Sequence, residues 1–205
     1  MDRMAVTTTT RVAELHELLA RHETSPAAGN VPVHPELVEL FPRGLRTGAV
    51  YSLHGSMSAA LALLAGPSAA GSWCAVVGVP DLGIEAAADW GVWLDRIALI
   101  PRVPAGEWTS VVAALVEVSA LVVAAPPEHI SPGEVSRLLA RLRTSGSTLV
   151  VLGNWPRAVA TLTGQVTRWD GLYDGHGHLR GGSLRLEVTE RQRTRYADLE
   201  LPVRP

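Results

Sequence analysis

Apolar and polar residues alternate with two different periods along this chain, and the switches between them outline an α/β fold. Val12, Leu15, Leu18 and Leu19 recur at helical spacing within Arg11–His22, so an amphipathic helix is expected after a polar N-terminal tail. Ser25–Pro35 follows with Pro26, Pro32 and Pro35, and reads as a linker. A short apolar helix through Leu40 then leads to a turn ending at Gly48. Short continuous apolar runs at Val50–Leu53, Trp73–Val79, Ile97–Ile100, Leu121–Ala125 and Thr148–Leu152 predict buried strands. Between them, helical patterns are expected from Ala59, over Gly83–Leu94, over Trp108–Val118 and over Pro132–Arg143. The last is marked by Ser131 and Glu134, spaced as a capping box, with Pro132 at the first helical position.

After Trp169 the glycines Gly171, Gly175, Gly177, Gly181 and Gly182 are expected to break the chain. Ser183–Glu190 alternates strictly and Arg195–Leu201 is extended, which predicts antiparallel strands added to the end of the sheet. The fold class is therefore α/β: a mostly parallel sheet flanked by helices, with an N-terminal helix and C-terminal antiparallel strands. Three stretches are expected: residues 1–24 as tail and helix, 25–47 as linker and lead-in, and 48–205 as the core with its hairpin extension.

Composition narrows the functional classes. A chain of 205 residues with 47% hydrophobic content can bury one good core. A net charge of −2 gives no global attraction to nucleic acid or anionic membrane. No apolar run approaches the roughly 18 residues that span a bilayer. The N-terminus lacks the apolar stretch of a signal peptide, and Cys74 is the single cysteine, so a cytoplasmic location is expected. Every basic residue counted among the 18 Lys+Arg is arginine.

That absence of lysine matters at Gly48–Leu64, where a strand, a small-residue loop and an apolar helix follow in the order of a phosphate-binding loop. The working motif, G-x-x-x-x-G-K-[ST], needs its Lys at the β/γ-phosphates and its hydroxyl on Mg²⁺. Counted without a gap from Gly55, the second Gly is Ala60, the Lys is Leu61 and the hydroxyl position is Ala62. His54, Gly55 and Ser56 could at most offer backbone N–H groups to an anion. A structural turn is the simpler reading, and no cofactor is expected.

Leu45–Gly55, Cys74–Leu82, Trp90–Ile100 and Ser119–Ala125 follow one another as the corresponding core segments do in RecA-type recombinases. The chain most resembles the RecA-like SulA/ImuA group, its ImuA′ branch in particular. This resemblance implies a RecA-like sheet and a role in damage-induced (SOS) mutagenesis and translesion synthesis. It further implies binding to an ImuB-like polymerase homologue. A RecA filament, an error-prone C-family polymerase and another copy of the chain are further candidate partners, and direct DNA contact is left open. Against active members, the water-activating carboxylate falls near Pro80, with Asp81 nearby, and Ala124-Ala125 stands where an Asp would orient Mg²⁺. The expectation is a pseudo-ATPase adaptor without catalytic residues. A SulA-like cell-division inhibitor and a weak ATPase or DNA-binding RecA paralogue are the alternatives.

Candidate partner-binding residues are the helical stripe Val12, Leu15, Leu18 and Leu19, whose other reading is docking on the chain's own core. Arg191, Arg193 and Arg195 are expected to project from one side of a strand toward phosphates or an acidic surface. Trp155 and Trp169 are expected as interface anchors. His176 and His178 on a Gly-rich loop lack the further ligands of a metal site. Ser56 and Ser58 lack the flanking glycines of a nucleophile elbow.

Overall fold

The computed structural model describes residues 29–173 and 176–202, together with Glu14 and Glu17, which are helical and exposed. The candidate residues Val12, Leu15, Leu18 and Leu19 lie outside the described residues.

The described chain opens with β1 (Asn30–Val31), a 3-10 turn at Pro35–Leu37 and β2 (Leu45–Arg46), which pairs antiparallel with β1. This lead-in is part of the core. Val31, Leu37, Leu40, Phe41 and Leu45 are all buried, and the backbone of Pro32–Val33 lies against Gly66. The linker reading therefore fails from Asn30 onward, because a proline-rich segment that buries five large apolar side chains is held by the hydrophobic effect.

The remainder alternates: β3 (Val50–Gly55), α1 (Met57–Ala69), β4 (Cys74–Val77), α2 (Ile84–Asp89), β5 (Ile97–Ile100), α3 (Trp108–Val118), β6 (Leu121–Ala124), α4 (Pro132–Ser145), β7 (Thr148–Leu152), then β8 (Ala160–Tyr173), β9 (His176–Glu190) and β10 (Arg193–Glu200). These strands make one eight-stranded sheet in the order β10-β9-β8-β3-β7-β6-β4-β5. Strands β8 to β5 in that order are parallel, and β9 runs against β8 and β10. The expected α/β class, with antiparallel strands at one end, is what forms.

Two apolar layers flank the sheet. On one face, Tyr51, Leu53, Val76, Leu162 and Leu184 pack with α1, Trp90 and the lead-in. On the other, Val50, Val77, Val122 and Val151 pack with α3 and α4. Helix α1 is apolar on every side because it is roofed by the lead-in as well as seated on the sheet. Helix α4 begins with the expected capping box, Ser131 and Glu134 satisfying each other's backbone N–H groups.

Three local expectations are corrected. The helix read over Gly83–Leu94 spans only Ile84–Asp89, because Gly91 takes a left-handed φ of 78° and ends the turn. Strand β8 forms where no element was expected before Trp169. The glycine tract does not break the chain: it lies in the β8–β9 ribbon, whose register shifts at Val166/Arg168 and Asp170/Leu172 absorb the irregularity. His176 and His178 accordingly lie in β9, not in a loop.

Candidate functional site

In an open α/β sheet, ligands are met at the carboxyl ends of the strands, and the turn after β3 lies at such an end. It contains one residue. Gly55 is the last of β3, Ser56 is the N-cap and Met57 begins α1. Ser56 Oγ accepts a hydrogen bond from the Ser58 N–H at 3.2 Å, so the helix end is capped from within.

The ungapped motif count is corrected by this geometry. Ala60, Leu61 and Ala62 are not loop positions; they sit in the body of α1, 0%, 3% and 0% exposed. Strand β8 closes the junction from the side. Gly55 pairs with Gly164, has φ 87°, and has no room for a side chain: a Cβ there would lie 2.1 Å from the Gly164 carbonyl oxygen. A Cβ on Gly164 would in turn lie 2.9 Å from Ala59 Cβ and 3.2 Å from Ser56 Cβ. Two facing glycines thus bring backbone against backbone where a nucleotide loop would need to open.

The neighbouring strand ends are occupied as well. Ala124 is fully buried, and the Ala125 carbonyl accepts a hydrogen bond from Trp108 Nε1 at 2.7 Å. Asp81 lies in an exposed turn beyond β4. The connection from β7 to β8 crosses the α3–α4 face of β3: Gly153 N–H bonds to Leu53, Trp155 N–H to Ser52 Oγ at 3.0 Å, and Val159 N–H to Val50.

That crossing corrects one candidate. Trp155 is 6% exposed and tilted against Trp108 with ring centroids 5.7 Å apart, so it is a core residue that pins the crossover. Trp169, by contrast, is 51% exposed on the β8–β9 ribbon and offers its ring to solvent.

The arginines are brought together only in part. Arg191 sits in the β9–β10 turn with a left-handed φ of 53°, not on a strand. Arg193 and Arg195 lie on β10 and share the face of Leu199, and Arg195 pairs with Glu190 at 3.5 Å. The cluster is thus a turn residue and two strand residues, one already engaged.

A different array was not singled out from the sequence. On the face opposite Leu199 no helix among the described residues covers β8–β10, and three cross-strand rows of exposed or half-buried side chains lie there: Thr161–Thr189–Thr194, Thr163–Glu187–Tyr196 and Gln165–Arg185–Asp198. Arg185 forks onto Asp198 with two 2.8 Å hydrogen bonds and lies 4.8 Å over the Tyr196 ring. The hydrogen bond from Arg185 holds the Asp198 carboxyl below its usual range. Strict alternation in Ser183–Glu190 was the available signal, but which face stays bare depends on where α3 and α4 end.

A second polar groove of about 300 Å³ lies between α3 and α4, lined among others by Thr109, Glu134, Arg137 and Arg141. Arg141 is paired there with Glu117. Among the described residues no group of three potential metal-ligating side chains occurs, and no helix is long and apolar enough to cross a membrane.

The arrangement defines a doubly covered α/β domain with its first strand-to-helix turn closed and one antiparallel face left bare. The chain belongs to the family of the MT3502 N-terminal domain, whose model matches residues 39–157. It is also 34% identical over 137 residues to the uncharacterized protein Rv3395c of Mycobacterium tuberculosis, covering 66% of this chain and 67% of that one. The family match runs from the lead-in into the β7–β8 crossover and stops before β8.

Proposed function

We propose that this protein is a non-catalytic, RecA-like accessory protein of the ImuA′ kind, acting in the cytoplasm in SOS-induced mutagenic translesion synthesis. In this role it binds an ImuB-like polymerase homologue and serves as an adaptor. The observation that carries the reading is the one-residue junction at Ser56, closed by Gly164, on a mostly parallel sheet flanked by helices. Phosphoryl transfer works by positioning phosphates and Mg²⁺ among backbone N–H groups and fixed charges. A junction with no loop, Leu61 buried in the helix and Ala124 at the end of β6 supplies none of these parts.

In this reading the sheet serves binding instead of catalysis. Trp169, Arg191, Arg193 and the bare face around Tyr196 are surfaces such a partner could use.

Two measurements test the proposal. Titration with Mg²⁺-ATP is expected to give no binding, and micromolar, Mg²⁺-dependent binding would overturn the pseudo-ATPase reading. Co-expression with an ImuB-like protein is expected to give a complex that co-elutes on gel filtration. Separate elution of the two folded proteins would overturn the adaptor reading.

A further inference from the structure

Parallel strands share one direction, so the residues that precede them gather at one end of the sheet. Here that end collects arginines. Arg46 precedes β3, Arg157 precedes β8, Arg191 and Arg193 lie at the β9–β10 turn, and Arg143 stands in the last turn of α4, just before β7.

Backbone contacts fix their order. Thr148 Oγ1 donates to the Arg46 carbonyl at 3.1 Å, the Gly48 N–H bonds to the Ser147 carbonyl at 2.8 Å, and a Cβ on Gly48 would lie 3.2 Å from Arg143 Cα. The Val159 N–H, two residues after Arg157, bonds to the Val50 carbonyl. Thr161 pairs with Ser52 on one side and Thr189 on the other, which brings Arg191, two residues past Thr189, toward the level of Val159. Strands β10, β9, β8, β3 and β7 are neighbours in that order, so at ~4.8 Å per strand the arginines are strung over roughly 19 Å.

The five guanidinium groups are not consumed by the fold. All are exposed, and among the described residues none has an ion-pair partner. Two carboxylates at this end are already taken, Glu190 by Arg195 at 3.5 Å and Glu117 by Arg141.

Two of the five also sit where an arginine is costly. Arg157 and Arg191 are the described non-glycine residues with left-handed φ, at 64° and 53°. That conformation suits Gly or Asn. Backbone strain kept beneath an exposed charge is explained by a use for that charge. Arg143 has a local account as well, since a cation in the last helical turn offsets the helix dipole.

The surroundings select the partner. No large exposed apolar side chain is an immediate chain neighbour of these arginines; Thr47, Thr144, Gln192 and Thr194 are. Protein interfaces centre on aromatic or other large anchors, and single-stranded nucleic acid is held by stacking aromatics. Phosphate contacts need neither, and are made by Arg, Thr and Gln side chains.

We propose that this end of the sheet binds the phosphate backbone of duplex nucleic acid, without reading its sequence, through Arg46, Arg143, Arg157, Arg191 and Arg193. A row of this length spans about five to six base pairs. The net charge of −2 gives no attraction from the molecule as a whole, so binding is local and steeply salt-dependent. The proposal does not rest on the adaptor reading, and each stands or falls by its own test.

The test is fluorescence anisotropy of the full chain with a labelled, random-sequence DNA duplex of about 20 base pairs, between about 50 and 200 mM salt. Five phosphate contacts predict a slope of log K against log salt near about −4.5, a loss of roughly 500-fold over that range. Arg46→Gln/Arg157→Gln/Arg191→Gln is expected to flatten the slope by about 2.7 and to weaken binding at the low-salt end. The same three sites changed to Lys are expected to keep the slope, because a phosphate contact requires the charge. Arg102→Gln/Arg137→Gln/Arg180→Gln, an equal loss of charge toward the other end of the sheet, is expected to leave the slope near the parental value. All these sites are exposed, so thermal unfolding should match the parent throughout. No binding by the parental chain at the low-salt end, or a triple variant no flatter than its charge-matched control, would overturn the proposal. Binding of polyglutamate but not of duplex, lost in the triple variant, would assign the row to an acidic protein surface and equally overturn it.

Discussion

Writing the missing phosphate-loop residues back into the chain should unfold it instead of restoring nucleotide binding. The perturbation is Leu61→Lys with Ala62→Thr, the two side chains that an ungapped count from Gly55 demands. Leu61 is 3% exposed and Ala62 fully buried, both in the body of α1. Removing the leucine side chain alone, as in Leu61→Ala, should cost about 2–5 kcal/mol. For a domain of this size each kcal/mol lowers Tm by roughly 2–4 °C. Leu61→Lys adds the cost of an ammonium in an apolar layer, where lysine pKa values fall by up to 3–5 units, each unit being ~1.36 kcal/mol. The sum reaches the whole stability of an ordinary domain, about 5–15 kcal/mol. Urea denaturation followed by tryptophan fluorescence is the assay, with Leu61→Ala as the graded control. The double variant should show little or no cooperative transition. A folded double variant with near-parental stability and newly acquired Mg²⁺-ATP binding would refute the reasoning, because it would place residue 61 at an open helix start.

Two further outcomes follow from local geometry. Gly55→Ala should destabilise by more than the roughly 1–2 kcal/mol of a left-handed non-glycine residue, because its Cβ would also meet the Gly164 carbonyl; urea titration reads this directly. Ser131→Ala should cost about 0.5–2 kcal/mol and flatten the acid side of the stability profile. The Ser131 side chain, then its backbone N–H, holds the Glu134 carboxyl below its usual range. A depressed carboxylate stabilises the fold above its unfolded pKa, and that contribution is lost as pH falls through the folded value. Stability measured from pH 7 downward should therefore fall less steeply in Ser131→Ala than in the parent.

What could be read from the sequence was what is decided locally. The capping box at Ser131, the amphipathic α3 and α4, and the apolar runs of β4, β6 and β7 carry their periodicity within a few residues. Strand β8 does not. Thr161, Thr163 and Gln165 alternate with Leu162 and Gly164, a pattern interpretable only when β3 on one side and β9 on the other are known. Gly164 looks like a breaker but is the residue that lets β8 approach α1. Trp155 follows a strand end and reads as exposed; only the crossover, with its N–H on Ser52 Oγ, shows why it is buried. The phosphate-loop reading found the right turn, between β3 and α1, and the wrong register, since sequence spacing cannot reveal that the helix starts at Met57. The arginine triplet alternates as a single strand would, whereas a two-residue turn takes Arg191 out of it.

The placement of β8 also changes what the family match means. The matched segment ends at residue 157, yet β3 hydrogen-bonds on one side to β7 and on the other to β8, which begins at Ala160. A domain cut at 157 would leave β3 with a row of unpaired backbone groups and would strip Leu162, Leu184, Leu186 and Val188 from the layer that covers α1. The three C-terminal strands are therefore integral to this core. They are also the source of Gly164, which closes the junction after β3. The closed junction and the bare antiparallel face thus arise from the same addition: pairing β8 against β3 seals the turn on one side, and the short helices α3 and α4 leave its other face uncovered. In this chain the closed junction and the uncovered antiparallel face thus share strand β8. A partner docking on Thr163 and Gln165 would therefore rest on the strand that seals the β3–α1 turn, which would tie the proposed adaptor role to the proposed lack of a nucleotide site through backbone pairing.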